Sequence, residues 1–348
     1  MEIGSEFWKT KEKEYFRDDA VFCLSGRTAL GAIVKDAVCR FNIKSALLPS
    51  YCCHTMIEPF LKNGINVRFY DVYVNEYGKL AADIPSPNKD ELLYIMKYFG
   101  DTDILYTGAG SSLSGWTATI EDMTHSCFSG RYESHADYQF ASYRKWFAVD
   151  GAASVWSRYS QIPTVARGTY ADYCRIRNYA FDLKARYIAG EHIEKETFLE
   201  AFAEAEALLS RDYDGYAART ASVADLCRFI NDIDAVRSAR RHNALVLING
   251  LQGIGGIRAF ADFTDTNKCP LCVPVLVEPG RRDQLRRCLI QQDIYCPIHW
   301  PLSEIHVGLS DRAKQIYQSE LSLVCDQRYT EKDMNRTIEA IAMFMRGK

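Results

Sequence analysis

The chain has 348 residues, 47% hydrophobic and 25% charged, with a formal net charge of -3. That composition belongs to a globular protein long enough for two domains, and its near-neutral balance offers no basic surface to nucleic acid or to an anionic membrane. No apolar run approaches bilayer length and the N-terminus, MEIGSEFWKTKEKEYF, lacks a signal-peptide core, so a cytoplasmic protein is expected.

Twelve cysteines are scattered through apolar patterns, which favours free thiols over disulfides in a chain without an export signal. Cys269-Pro-Leu-Cys272 is the one CxxC, and neither a second pair nor a suitably spaced His follows it. A structural zinc site usually takes four ligands, so no metal is expected and CPLCVPVLV reads as a strand.

In chain order, residues 1–20 form an N-terminal arm. Phe22-Cys23-Leu24 then leads into Ser25-Gly26-Arg27-Thr28, and apolar residues from Ala29 to Phe41 recur at helical spacing. A glycine turn feeding a helix N-terminus presents backbone N–H groups to an anion, and Arg27 adds a positive charge; a plain N-cap at Ser25 or Thr28 explains the same residues. Ala46 to Pro49 reads as a strand, Ser50 to His54 as a turn into a helix over 56–62, and Val67 to Val72 as the next strand. Leu92 to Met96 is another buried strand, ending at Lys97-Tyr98-Phe99-Gly100. Strands alternating with helices predict an α/β fold with a mostly parallel sheet flanked by helices, whose ligands bind at the carboxyl ends of strands.

The stretch Thr119 to Trp146 carries the chemistry. A short apolar run ends on Glu121-Asp122, and a second strand ends in Ser142-Tyr-Arg-Lys145. A strand-end carboxylate can hold a pyridinium nitrogen, a lysine can form a Schiff base with an aldehyde, and the Ser142 hydroxyl can reach a phosphate. An Asp at a strand end is more commonly a cap or turn former, and a lysine a surface residue.

In the second half, 170–190 and 193–210 read as helices. Their cluster Arg175, Arg177, Asn178, Lys184 and Arg186 reads as a solvated face, or as a reach toward a neighbouring subunit's site. A long helix from Val236 to Leu251 leads to a smaller C-terminal α+β domain containing the 271–277 strand, a helix over 281–292 and a final strand and helix. The domains expected are thus 21–235 and 236–348.

Taken together, Ser-Gly-Arg-Thr-Ala-Leu (25–30), Leu-Pro-Ser-Tyr (48–51), Lys-Tyr-Phe-Gly (97–100), Ile-Glu-Asp-Met-Thr-His (120–125) and Lys145 resemble the DegT/StrS family of PLP-dependent sugar aminotransferases, with the aspartate aminotransferase fold (fold type I). The likeness runs in unchanged order from about 20 to 346. It implies that Lys145 carries the cofactor aldehyde, that Asp122 pairs with the pyridine nitrogen of pyridoxal 5'-phosphate (PLP), and that His125 lies near its ring. It implies further that Gly26, Arg27 and Thr28, with Ser142, hold the phosphate, and that His299 and Arg328 contact substrate. A homodimer with shared active sites follows from the same resemblance. Departures mark a divergent branch. Trp146-Phe-Ala-Val-Asp150-Gly151 replaces a Gly-rich segment, and Cys52-Cys53 stand where the family has Thr and an aromatic, passing the role of covering the cofactor ring to Tyr51 or another segment.

The activity implied is transfer of an amino group, from L-glutamate as small-molecule donor, to a keto group of a nucleotide-linked sugar. A lysine at the Schiff-base position argues against the family's dehydratases, which carry His there. A non-sugar keto or aldehyde acceptor is a second reading, and a non-catalytic PLP-fold sensor or scaffold a third.

Overall fold

The structure, a computed structural model, describes residues 15–16, 19–101, 103–130, 134–159, 162, 170–211 and 216–347. The expected arm over 1–20 lies mostly outside them. Its end does not: the Tyr15 hydroxyl donates to the Cys127 carbonyl at 2.8 Å, and the Phe16 ring lies 5.6 Å from that of Tyr143.

Helix α1 (Gly26–Phe41) follows strand β1 (Val21–Cys23) because Ser25 is its N-cap, in extended backbone, with its hydroxyl accepting from the Thr28 amide. Asn42, at φ 53, closes α1 in the left-handed region that asparagine tolerates. There follow β2 (Ser45–Pro49), α2 (His54–Lys62), β3 (Asn66–Val74), β4 (Leu80–Asp83), β5 (Glu91–Met96), β6 (Leu105–Thr107), β7 (Ala118–Asp122), β8 (Tyr138–Ser142), a single 3-10 turn (Tyr143–Lys145) and β9 (Ala153–Ser157). Among the described residues these strands form one sheet in the order β1-β9-β8-β7-β5-β2-β3-β4-β6.

Its interior, β8-β7-β5-β2-β3, is wholly parallel, so the expected α/β sheet is the one observed. The β1–β9, β9–β8 and β3–β4 pairings are antiparallel. The expected alternation with helices holds only as far as β3. Beyond it, among the described residues, no α-helix intervenes until α3 (Ala171–Ile188), and α8 (Asp311–Ser319) packs against β3 from much later in the chain. That late helix buries Ala313, Ile316 and Tyr317 in the same core as Leu47, Tyr70 and Leu93.

Helices α3 and α4 (Lys195–Arg211) form a hairpin that packs on Leu24 through Tyr173, Cys174, Ala201 and Ala205. After α5 (Thr220–Ile230), α6 (Ile233–Leu251) contributes Ile233 to the core beneath the Lys145 turn and Leu247 to a second core. That second core lies between a three-stranded antiparallel sheet, β10 (Ile257–Ala259), β11 (Val273–Val277) and β12 (Glu320–Leu323), and helices α6, α7 (Arg282–Ile290) and α9 (Glu331–Met345). Gly100 shows how tightly the two parts meet. At φ +88, a Cβ there would sit 1.9 Å from the Cys269 carbonyl oxygen, so only glycine lets the end of β5 approach the 269–271 segment.

Candidate active site

Parallel pairing brings the ends of β7 and β8 side by side, with Asp122 in register with Phe140. Two contacts lock those ends together. The Thr124 hydroxyl accepts from the Ser142 amide at 3.2 Å, and the Trp146 indole donates to the Thr124 carbonyl at 2.7 Å. Trp146 is in turn covered by the Arg240 guanidinium, 4.5 Å from its ring centre. Lys145 therefore stands on a short, pinned turn and not on a free loop.

A cavity of about 420 Å³ opens here. Its wall includes Asp122, Thr124, Ser142 and Lys145 from the strand ends, Ser25, Gly26 and Arg27 from the start of α1, and Thr55 and Met56 from α2. Gly26 and Ser142 touch across it: a Cβ on Gly26 would lie 3.1 Å from the Ser142 Cβ. Ser142 is 8% exposed and, among the described residues, its hydroxyl makes no hydrogen bond.

Asp122 is fully buried. Its Oδ2 accepts from the Tyr94 hydroxyl at 2.6 Å and its Oδ1 from the Thr124 amide at 2.8 Å. Burial raises its pKa, against the opposing pull of those donors and of Lys145. Lys145 is open to the cavity yet closely surrounded by protein, and it makes no hydrogen bond or ion pair among the described residues. Desolvation lowers its pKa, partly countered by Cys53 and Asp122, so its proton is given up more readily than that of a surface lysine. The Cys53 thiol is pushed up by burial, but bonds from His54 and Thr55 outweigh this and leave it lowered.

The other expected residues fall differently. Thr28 is buried with its hydroxyl 3.0 Å from that of Ser25, turned into the cap and away from the cavity wall. His125 and His299 are buried behind the wall, their rings 5.2 Å apart, and desolvation followed by the Lys145 charge holds both well below the usual histidine pKa. Among the described residues, neither ring nitrogen of His125 has a hydrogen-bond partner. Arg328 is not brought to the cavity: its guanidinium is bidentate to Asp326, at 2.7 and 2.8 Å. Tyr51 does not cover the cavity either. It packs 5.2 Å from Trp300 in an aromatic cluster, and Met56 and Thr55 occupy the wall instead.

His299 Nδ1 lies 2.7 Å from the Ser322 hydroxyl, which donates to Glu320, and the Glu320 carboxylate also accepts from the His299 amide at 2.8 Å. Burial pushes Glu320 up to about 8 from 4.5. Between those values the unfolded chain gives up its proton while the folded chain keeps it, so this residue's contribution to stability falls as pH rises from 4.5 to about 8. Glu320→Gln is expected to remove that slope. Denaturation midpoints taken between about pH 5 and about pH 8 measure it, and parallel curves for the two proteins would rule the assignment out.

Sequence reasoning did not single out Thr124, Arg144 or Glu206, and read Arg177 as part of a solvated helix face or of a reach toward a neighbouring subunit's site; all four line the cavity of this chain. Arg175 and Arg186 do stay at the surface, paired with Asp172, Asp182 and Glu191. Arg177 turns inward. The available signal was its place beside the buried stripe Tyr173, Ile176, Ala180 and Leu183 of α3. Asp150, the remnant of the expected glycine-rich segment, anchors that helix by accepting from Asn178 at 2.8 Å, and it also binds Arg219 and Ser222.

No protein-family model matches the sequence, and neither does any curated protein. Solved structures do match its fold. PseC from Helicobacter pylori, an aminotransferase involved in the biosynthesis of pseudoaminic acid, superposes with a TM-score of 0.66 at 10% identity, over 94% of this chain and 87% of that one. Spr1654 from Streptococcus pneumoniae, assigned as a sugar aminotransferase and solved in a PLP form, gives 0.64 at 12% over 94% and 87%. DesV from S. venezuelae, in complex with a ketimine intermediate, gives 0.61 at 17% over 94% and 84%. The chain has the fold of these aminotransferases. It is the fold expected from the motif series, and among the described residues no helix is long and apolar enough to cross a membrane.

Proposed function

We propose that the protein is a PLP-dependent aminotransferase that moves an amino group from L-glutamate to a keto group of a nucleotide-linked sugar. The observation that carries this reading is the shared cavity wall of Asp122, Lys145, Ser142 and the Gly26 turn. Pyridoxal phosphate needs a carboxylate for its ring nitrogen, an amine for its aldehyde and donors for its phosphate, and these residues fit all three needs. The Ser142 hydroxyl and the two His125 nitrogens are donors or acceptors left unpaired among the described residues.

Bound there, the cofactor supplies an electron sink for a carbanion next to the amino nitrogen. Asp122, fixed by Tyr94 and Thr124, sets a negative charge against the ring nitrogen. Lys145 would hold the aldehyde, and its amine would be the group that moves a proton at the substrate carbon. The first turn of α1 orients the phosphate with its amides and dipole. The neighbours named above, sugar aminotransferases among them, support a sugar-type acceptor. A homodimer with shared sites is part of the same proposal, as is the division at residue 236.

An absorption spectrum of the purified protein before and after L-glutamate tests it. The expected result is a visible PLP band that bleaches with glutamate and returns with a keto-sugar nucleotide. A band indifferent to glutamate would reject the donor, return with a non-sugar acceptor would move the substrate class, and no band after incubation with PLP would reject the enzyme. Gly26→Ala is expected to weaken PLP binding by about tenfold, because a Cβ 3.1 Å from Ser142 shifts the hydroxyl from its place. Spectroscopic titration with PLP measures this, and unchanged affinity removes Gly26 from the site.

A further inference from the structure

Beyond the Gly26 turn the cavity wall becomes strongly charged. Arg27 comes from α1, Arg144 immediately precedes Lys145, and the α3–α4 hairpin adds Arg177 and Glu206. Arg144 and Arg177 both donate to one oxygen, Glu206 Oε1, the latter at 3.2 Å. Two guanidinium charges thus share a single carboxylate. The Nε atoms of Arg144 and Arg177 are buried without a hydrogen-bond partner among the described residues. Aromatic rings fix their planes: Tyr173 lies 5.6 Å from Arg144, and Phe181 and Phe202 lie 5.1 and 5.6 Å from Arg177. Burial opposes ionisation of Glu206, yet Arg144 and Arg177 hold its carboxyl below the ordinary value. Burial and Arg144 lower Arg177. A second anion entering this wall relieves the repulsion between the two arginines. A second cation does the reverse. Ser142 and the start of α1 lie on the same wall.

We propose that Arg144 and Arg177 form a site for a phosphate group carrying two negative charges, on the cavity wall beside the Gly26 turn, with Glu206 as the competing anion. The site rests on the proposed function only for which molecule bears the phosphate, the cofactor or a phosphorylated substrate. A guanidinium fork suits phosphate, and an excess of positive charge favours the dianion over an unphosphorylated aldehyde.

The two sides of the salt bridge should respond with opposite signs. Inorganic phosphate is titrated calorimetrically into the full chain dialysed free of PLP. Arg177→Gln is expected to weaken binding by about tenfold or more, having removed a charged donor. Glu206→Gln, which keeps an acceptor oxygen for both arginines but removes the rival charge, is expected to tighten it. A merely structural salt bridge predicts weakening, or no change, from both substitutions, and either pattern overturns the proposal, as does a wild-type chain that binds no phosphate. Repeating the titration on PLP-loaded protein distinguishes the sources. Loss of binding assigns the site to the cofactor's phosphate, and persistence with the same response to Arg177→Gln assigns it to a substrate phosphate. Opposite signs in a protein that never shows a PLP band keep the phosphate site and reject the cofactor. A normal band with phosphate affinity unmoved by either variant does the opposite.

Discussion

Lys145→Ala is expected to lower the glutamate half-reaction by at least about 10³-fold, since it removes both the amine that holds the aldehyde and the group that moves the proton. Stability is expected to change little or to rise. Lys145 makes no hydrogen bond or ion pair among the described residues, and its ammonium is a desolvated charge. Single-turnover absorbance with glutamate, read beside a denaturant melt, separates the two effects. A surface lysine predicts unaltered turnover. A sensor or scaffold predicts that the variant still performs its biological role, so complementation by Lys145→Ala would refute the enzymatic reading.

Substitutions of Asp122 separate charge from hydrogen bonding. Asp122→Asn keeps an oxygen for the Tyr94 hydroxyl or the Thr124 amide but removes the negative charge, and it is expected to cost about 10²–10³ in rate with a modest change in stability. Asp122→Ala strands both donors in a fully buried place, which costs a further 1–3 kcal/mol or so for each. Single-turnover rates and urea midpoints on both variants provide the comparison. If Asn turns over as fast as wild type, Asp122 is only a turn former.

Asp122 and Lys145 were legible because strand ends follow from local apolar runs, and parallel strands put those ends on one edge. The Gly26 turn was legible for a similar reason, through its cap and the helical spacing behind it. What escaped depends on distant packing. The inward turn of Arg177 is set by Glu206 and Phe202, from a second helix whose fit against α3 no local pattern encodes. His299 was visible as a residue, but its partners Glu320 and Ser322 arrive on a strand some twenty residues later. Arg328 misled because an exposed arginine near the end of a family-like tail says nothing of Asp326, two residues away, which engages it.

The edge of the sheet has a consequence for how the protein is made. Strand β1 pairs with β9, Val21 opposite Val155, and Leu24 donates to the Tyr216 carbonyl, so the first strand cannot dock when it leaves the ribosome. At ordinary translation speed it waits roughly ten to thirty seconds for its partner. During that interval α1 already has the means to coil, while β1 and the growing parallel strands present open edges. Nascent fragments ending before Ala153 therefore carry β1 without its sheet partner, an open edge that a second chain can pair with.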